Sequence, residues 1–210
     1  MSTKSIKSKN DFSTEEKIKN AARIVFHKKG FAATRTRDIS EESGINLALL
    51  NYYFRSKENL FNIIMLESLQ GFFQSMSSAF NDETSSLENK IEILVNNYID
   101  LLIENPDIPI FILSELRTNP KELISKIDIK KVLLKSYFFK QFQSYVKAGK
   151  ITPIHPMHIM MNLAGMIVFP FIMSPGLKEI GGIKQDEFNK LMLQRKAMIP
   201  KWIQAIIKVK

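Results

Sequence analysis

The sequence predicts an all-α protein: an N-terminal three-helix unit followed by a larger C-terminal helical unit. Three observations carry that prediction. Apolar residues recur at helical spacing through most of the 210 residues, as a helix with one buried face requires. No segment sustains the period-two alternation of a half-buried strand. Capping residues and polar, proline- or glycine-bearing breaks divide the chain at intervals of helix length. The units are expected at residues 1–57 and 58–210, with residues 1–10 a polar, mobile tail.

Taken in order, the first helix starts at Ser13 as N-cap, with Glu16 at the third position completing a capping box. It carries the stripe Ile18, Ala21, Ala22, Val25 and Phe26 and stops at Gly30. Thr36 or Thr34 caps a second, short helix with Ile39 and Ser43 on its inner side, and Gly44 makes the turn. Asn46 caps a third helix running to about Phe54. Ser56 opens a long fourth helix with Leu60, Phe61, Ile64, Met65, Leu69, Phe72, Phe73, Met76 and Phe80. After a polar break at 81–86 comes a helix over 87–103, then a break at 105–109 and a short helix over 110–117. A long helix over 120–148, in one or two pieces, follows. The remaining expectations are a loop at 149–156, a helix over 157–173, a glycine-bearing loop at 174–184 and a last helix from Asp186, bent at Pro200. There is no internal repeat and no low-complexity tract.

Composition narrows the functional classes. With no cysteine, disulfides, thiolate metal sites and a cysteine nucleophile are excluded, and a reducing cytoplasm is the expected location. Hydrophobic residues at 45% are ordinary for a globular chain. The formal net charge is +9, and residues 1–57 carry +6 of it, which suggests a polyanionic partner. No 18-residue apolar run is free of charge or proline, so no membrane association through a transmembrane helix is expected, and the lysine-rich N-terminus has no apolar signal core. His27, His155 and His158 are the only histidines. They make no metal set, and no cofactor-binding or nucleophile motif appears. The inventory is not that of an enzyme.

The most informative stretch is residues 30–61. Two short helices joined at a glycine, the second ending in an aromatic cluster and a basic residue, match a helix-turn-helix. A recognition helix needs a hydrophobic foot and a free outer face. Leu49, Leu50 and Phe54 would be the foot, and Leu47, Ala48, Asn51 and Tyr52 the outer face. Asn51 can pair bidentately with adenine, and Leu47 and Ala48 can meet thymine methyls. Arg37 could reach a base or phosphate. Thr36, Tyr53 and Lys57 suit phosphate contacts, and the amides above Asn46 favour an anion.

Phe26-His27-Lys28-Lys29-Gly30-Phe31, Thr36-Arg37-Asp38-Ile39, Ser43-Gly44-Ile45 and the run from Leu49 to Leu60, with Asn51-Tyr52-Tyr53-Phe54 before Ser56-Lys57-Glu58, resemble the TetR/AcrR family of bacterial repressors over about residues 14–62. The resemblance implies double-stranded DNA with an inverted-repeat operator as partner, a small effector, and a homodimer joined through the last two helices. It implies DNA contacts at Thr36, Arg37, Leu47, Ala48, Asn51, Tyr53 and Lys57, to which the reading of the helix itself adds Asn46 and Tyr52. An effector pocket is expected among Met65, Leu69, Phe72, Met76, Tyr98, Leu102, Phe111, Leu116, Phe138, Phe142, Met161 and Phe169, apolar enough to favour a lipophilic ligand. The dimer interface is expected at Met157, Met160, Ala164, Val168, Leu191, Met198, Trp202 and Ile206. Two positions depart from the family pattern: Asn51 where tyrosine is frequent, and Ser43 where alanine is common. The alternative is a basic amphipathic protein of the membrane surface or a partner-binding scaffold, which explains the charge but not the turn spacing.

Overall fold

A computed structural model of the chain describes residues 9–118, 120–127 and 134–208. Its helices are α1 (Lys9–Ala33), α2 (Thr36–Ser43), α3 (Leu47–Phe54), α4 (Lys57–Asn81), α5 (Leu87–Glu104), α6 (Ile108–Thr118), α7 (Pro120–Lys126), α8 (Tyr137–Lys147), α9 (Pro156–Ile172), α10 (Ser174–Gly181) and α11 (Gln185–Lys208). No strand occurs among the described residues. The chain forms two compact units, the first ending at Glu67 and the second beginning at Ser68, so α4 belongs to both.

Several boundaries differ from the sequence expectation. Helix α1 begins at Lys9, so position 13 is interior and is not the N-cap. The expected mobile tail otherwise lies outside the described residues, as do positions 128–133 of the expected long helix, whose flanks form α7 and α8. Gly30 does break α1, with φ 72° and ψ 165°, and a last turn follows to Ala33. Neither threonine caps α2. Arg35 is its N-cap, and Asp38 at the third position reaches back to accept from the Arg35 N–H at 2.9 Å. The Thr34 hydroxyl donates to the Gly30 carbonyl instead, at 2.7 Å. The expected loop at 174–184 holds the eight-residue helix α10. Its proline sits in the first turn, and Gly182 adopts φ 60° just past its end, the two places where these residues suit a helix.

In the first unit, Ile18, Ala21, Ala22, Val25 and Phe26 of α1 are all buried with Ile39, Leu50, Phe54, Leu60, Phe61 and Ile64. Each large side chain contributes about 1.5–3 kcal/mol on burial. Phe61 meets Phe26 edge-on at 5.2 Å and Phe31 at 4.6 Å. Lys19 is buried but paired with Glu16 and Glu67. Burial works against its charge, and the two carboxylates outweigh that and raise its pKa. Arg23 also pairs with Glu67, so one carboxylate ties two positions of α1 to α4.

In the second unit, α5 packs against α8, α9 and α11. Leu87, Ile91, Val95, Ile99 and Leu102 are buried on α5, and Phe188, Met192, Ile199, Ile203 and Ile207 on α11. Pro170 lies inside α9 and is buried. It has no N–H for the Met166 carbonyl, which would otherwise accept from position 170. Arg195 of α11 replaces that donor, with Nη2 2.8 Å from the Met166 oxygen. Burial lowers its pKa, and its guanidinium lies 5.2 Å from the Trp202 ring. Helix α11 runs through Pro200 to Lys208 as one element.

Candidate nucleic-acid interface and effector cavity

Short helices need local anchors, because eight residues cannot hold a helix by propensity alone. Helix α3 has three. Asn46 Oδ1 accepts from the Leu49 N–H at 2.8 Å. Gly44 takes φ 66°, the left-handed geometry of the turn. Ser40 and Ser43 close that turn: Ser40 Oγ donates to the Ile45 carbonyl at 2.6 Å, and the Ile45 N–H donates to Ser43 Oγ at 3.2 Å. Ser43 thus has a task in this turn that alanine could not perform. At the other end, Arg55 adopts φ 63° and ψ −45°. The Ser56 N–H donates to the Phe54 carbonyl at 2.7 Å, a strained γ-turn. Ser56 then caps α4, accepting from the Asn59 N–H at 3.0 Å.

Held this way, α3 has a foot and a free face. Leu50 and Phe54 are 0% and 1% exposed, and Leu49 is half-buried. Leu47, Ala48, Asn51 and Tyr52 are all exposed, Tyr52 at 77%. These positions fall on one side of the helix. Arg37 is exposed at the start of α2 and forms no ion pair with Glu41 among the described residues, and Thr36 beside it is half-buried. Tyr53 is half-buried, with Tyr52 edge-on to it at 5.4 Å. Asn46 is exposed, but its carbonyl oxygen is committed to the cap. Asp38 is held below the usual carboxylate range by the Arg35 N–H and the Lys29 ammonium.

Lys57 has partners inside the unit. Its ammonium donates to the Phe31 and Thr34 carbonyls, each at 2.9 Å, and lies 4.2 Å from the centre of the Phe31 ring. Two of its three donors therefore tie α4 to the α1–α2 connection. The lysine of the sequence motif is thus a strut inside the unit, with one donor left over.

The second unit holds an apolar cavity of about 170 Å³ between α4, α5, α8 and α9. Of the expected pocket residues, Phe72, Tyr98, Phe138 and Phe142 line it. Met65, Leu69, Met76, Leu102 and Phe111 do not, because they are buried in the packing between helices. Leu116, Met161 and Phe169 do not either, being 44%, 54% and 57% exposed. Phe73, Leu94, Phe139 and Leu163 line the cavity without having been singled out, and Met160 and Ala164, expected at the dimer interface, line it too. Met160 and Met161 exchange roles because one residue along α9 is a turn of about 100°. The rest of the expected interface is open or half-open: Met157, Leu191, Met198 and Trp202 are exposed, and Val168 and Ile206 are half-buried. Tyr98 is stacked on Phe72 at 4.9 Å, and burial pushes its hydroxyl up to about 12.

Among the described residues no cluster of acidic and histidine side chains could hold a metal ion. No single helix there is long and apolar enough to cross a membrane; α9 and α10 reach that mark only as a pair bent by 65°.

Comparison with known proteins agrees with this geometry. Residues 18–64 match the family described as bacterial regulatory proteins, tetR family. The chain is 23% identical over 200 residues to YttP of Bacillus subtilis, named a probable HTH-type transcriptional regulator, covering 93% of this chain and 95% of that one. It is 30% identical over 158 residues to the HTH-type transcriptional regulator RutR of Escherichia coli O157:H7, covering 70% and 68%. The crystal structure of the transcriptional regulator FadR from Bacillus subtilis in complex with stearoyl-CoA has the same fold, with a TM-score of 0.62 at 18% identity over 91% of this chain and 98% of that one. A capped recognition helix with a buried foot, inside a matched segment and a relative aligned over two-thirds of both chains, makes this protein a DNA-binding transcriptional regulator that belongs to the TetR family.

Proposed function

We propose that the chain acts as a homodimeric, ligand-responsive repressor and has no enzymatic activity. The observation that carries the reading is α3 itself: Leu47, Ala48, Asn51 and Tyr52 stand free on a helix whose Leu50 and Phe54 are fully buried. In this reading Asn51 reads a base edge, Leu47 and Ala48 touch thymine methyls, and Arg37, Thr36, Asn46, Tyr52 and Tyr53 set the register on phosphates. The exposed apolar side chains Met157, Met161 and Phe169 of α9 and Leu191, Met198 and Trp202 of α11 support a second copy packing against this face. The apolar cavity supports a small lipophilic effector. An effector that binds better to a conformer with the wrong helix spacing lowers DNA affinity by shifting the population.

Selection of binding sites from random duplex DNA with the purified protein tests this. The expected product is an inverted repeat whose half-sites lie one helical turn apart, about 34–36 Å. Uniform, salt-sensitive binding with no enriched sequence would defeat the reading and favour a basic surface without a recognition function.

A further inference from the structure

The lining of the second-unit cavity is chemically uneven in an informative way. Six of its side chains are aromatic: Phe72, Phe73, Tyr98, Phe138, Phe139 and Phe142. The other described lining residues are aliphatic, proline or methionine, so among the described residues Tyr98 alone brings a polar side-chain group to the wall. That hydroxyl makes no hydrogen bond to any described residue. Its ring is stacked on Phe72, 4.9 Å away and 28° from parallel, so the hydroxyl is held in place with no protein partner among the described residues. No lysine, arginine or histidine among the described residues lines the cavity. Lys90 lies eight residues before Tyr98 on α5, about 12 Å along the helix, and already donates to the Ser85 carbonyl and hydroxyl at 2.8 and 2.7 Å.

We propose that this cavity selects a flat, uncharged aromatic molecule carrying one hydrogen-bonding group, which Tyr98 Oη orients. The proposal rests on the effector reading above and names the ligand class. Ring faces and edges supply the binding surface, since aromatic pairs favour offset or edge-on contact. The lone hydroxyl supplies direction, because leaving it unpaired beside an apolar ligand forfeits a hydrogen bond. A carboxylate would meet no cation among the described lining residues, and an unpaired buried charge is disfavoured. A phenol is neutral, and therefore a donor, through the physiological range, and burial raises its value further.

The test holds the ring constant and varies the polar group. Naphthol, naphthalene and naphthoate are titrated into the full-length protein by calorimetry, with stearoyl-CoA as a polyanionic counter-probe. Naphthol should bind about three- to tenfold tighter than naphthalene, and naphthoate at least about tenfold weaker than naphthol. Tyr98→Phe should remove the advantage of naphthol while naphthalene binds at least as tightly as before, so naphthalene doubles as the control for folding. Naphthoate or stearoyl-CoA binding as tightly as naphthol, or an unchanged naphthol affinity in Tyr98→Phe, overturns the proposal. Anisotropy of the selected operator duplex reads the other question. Release by stearoyl-CoA with no naphthol binding overturns the ligand class and leaves the ligand-responsive reading intact. Naphthol binding without release upholds the ligand class and counts against that reading.

Discussion

The outer face of α3 and the cavity of the second unit are built in opposite ways. The first is made by eight consecutive residues and finished by local bonds: the Asn46 cap, the Ser40 and Ser43 turn, and the left-handed Gly44. Its working groups point outward. The second is made by four helices, and its lining runs from Phe72 to Ile167. Its described lining is apolar apart from one residue that carries a hydroxyl, Tyr98. A surface presented by one helix depends on that helix's period. A cavity depends on where several helices come to rest. The contrast predicts that changes in α3 act through short-range geometry, whereas changes in the cavity act through selectivity.

The largest expected effect is on the foot. Phe54→Ala removes a ring that is 1% exposed and should cost about 3–5 kcal/mol. Thermal denaturation should show the first unit destabilised, and mobility-shift assays should show DNA binding lost. Retained binding would mean that α3 holds its pose without its foot, and the local account of its geometry would fail.

That dependence on local geometry explains what was legible beforehand. The α1 stripe, the Asn46 and Ser56 caps and the Gly44 turn all follow from spacings of three or four residues, and each is realised. The foot at Leu50 and Phe54 and the free side at Leu47 and Asn51 follow from the same period. Arg35 escaped because the bond that caps α2 comes from Asp38 reaching backwards, which a search for a capping side chain does not find. Lys57 escaped because its two partners are carbonyls 26 and 23 residues away. In the cavity the same limit governs most positions. Phe72, Phe73 and Met76 share an apolar stripe, yet Met76 is 1% exposed inside the packing while both phenylalanines line the void. Only the placement of α5, α8 and α9 separates them. Helix α10 occupies a stretch whose glycines predict a loop, yet its proline stands in the first turn and Gly182 just past its end.

Next in size are two substitutions that separate structure from recognition within the first unit. Lys57→Met should leave the Phe31 and Thr34 carbonyls short of a donor and lower stability by about 1–3 kcal/mol. The slope of log affinity against log salt should stay the same. A slope shallower by about one would show that this lysine neutralises a phosphate. Asn51→Ala should behave in the reverse sense. Melting should not move, because the side chain is exposed, and discrimination at one base pair should fall by about 1–3 kcal/mol. Equal loss on every sequence would mean that Asn51 does not read a base.

The smallest effect belongs to Tyr98 and would show how dry the cavity is. Its phenol is held at about 12 in the fold against an ordinary value of 10.0, and desolvation is the cause. A raised folded-state value favours the folded protein fully below pH 10, where the phenol is neutral in both states. Above that the unfolded chain loses its proton first, so the advantage shrinks as pH rises from about 10 through about 12. Denaturant unfolding of the native protein and of Tyr98→Phe, compared across that window, should show the native protein losing stability relative to the variant. Phenolate absorbance should show one of the five tyrosines titrating late in the native protein and no late phenol in the variant. Coincident unfolding curves would mean that water reaches the hydroxyl. The two regions would then differ in address but not in dielectric, and the selectivity argued for the cavity would lose its basis.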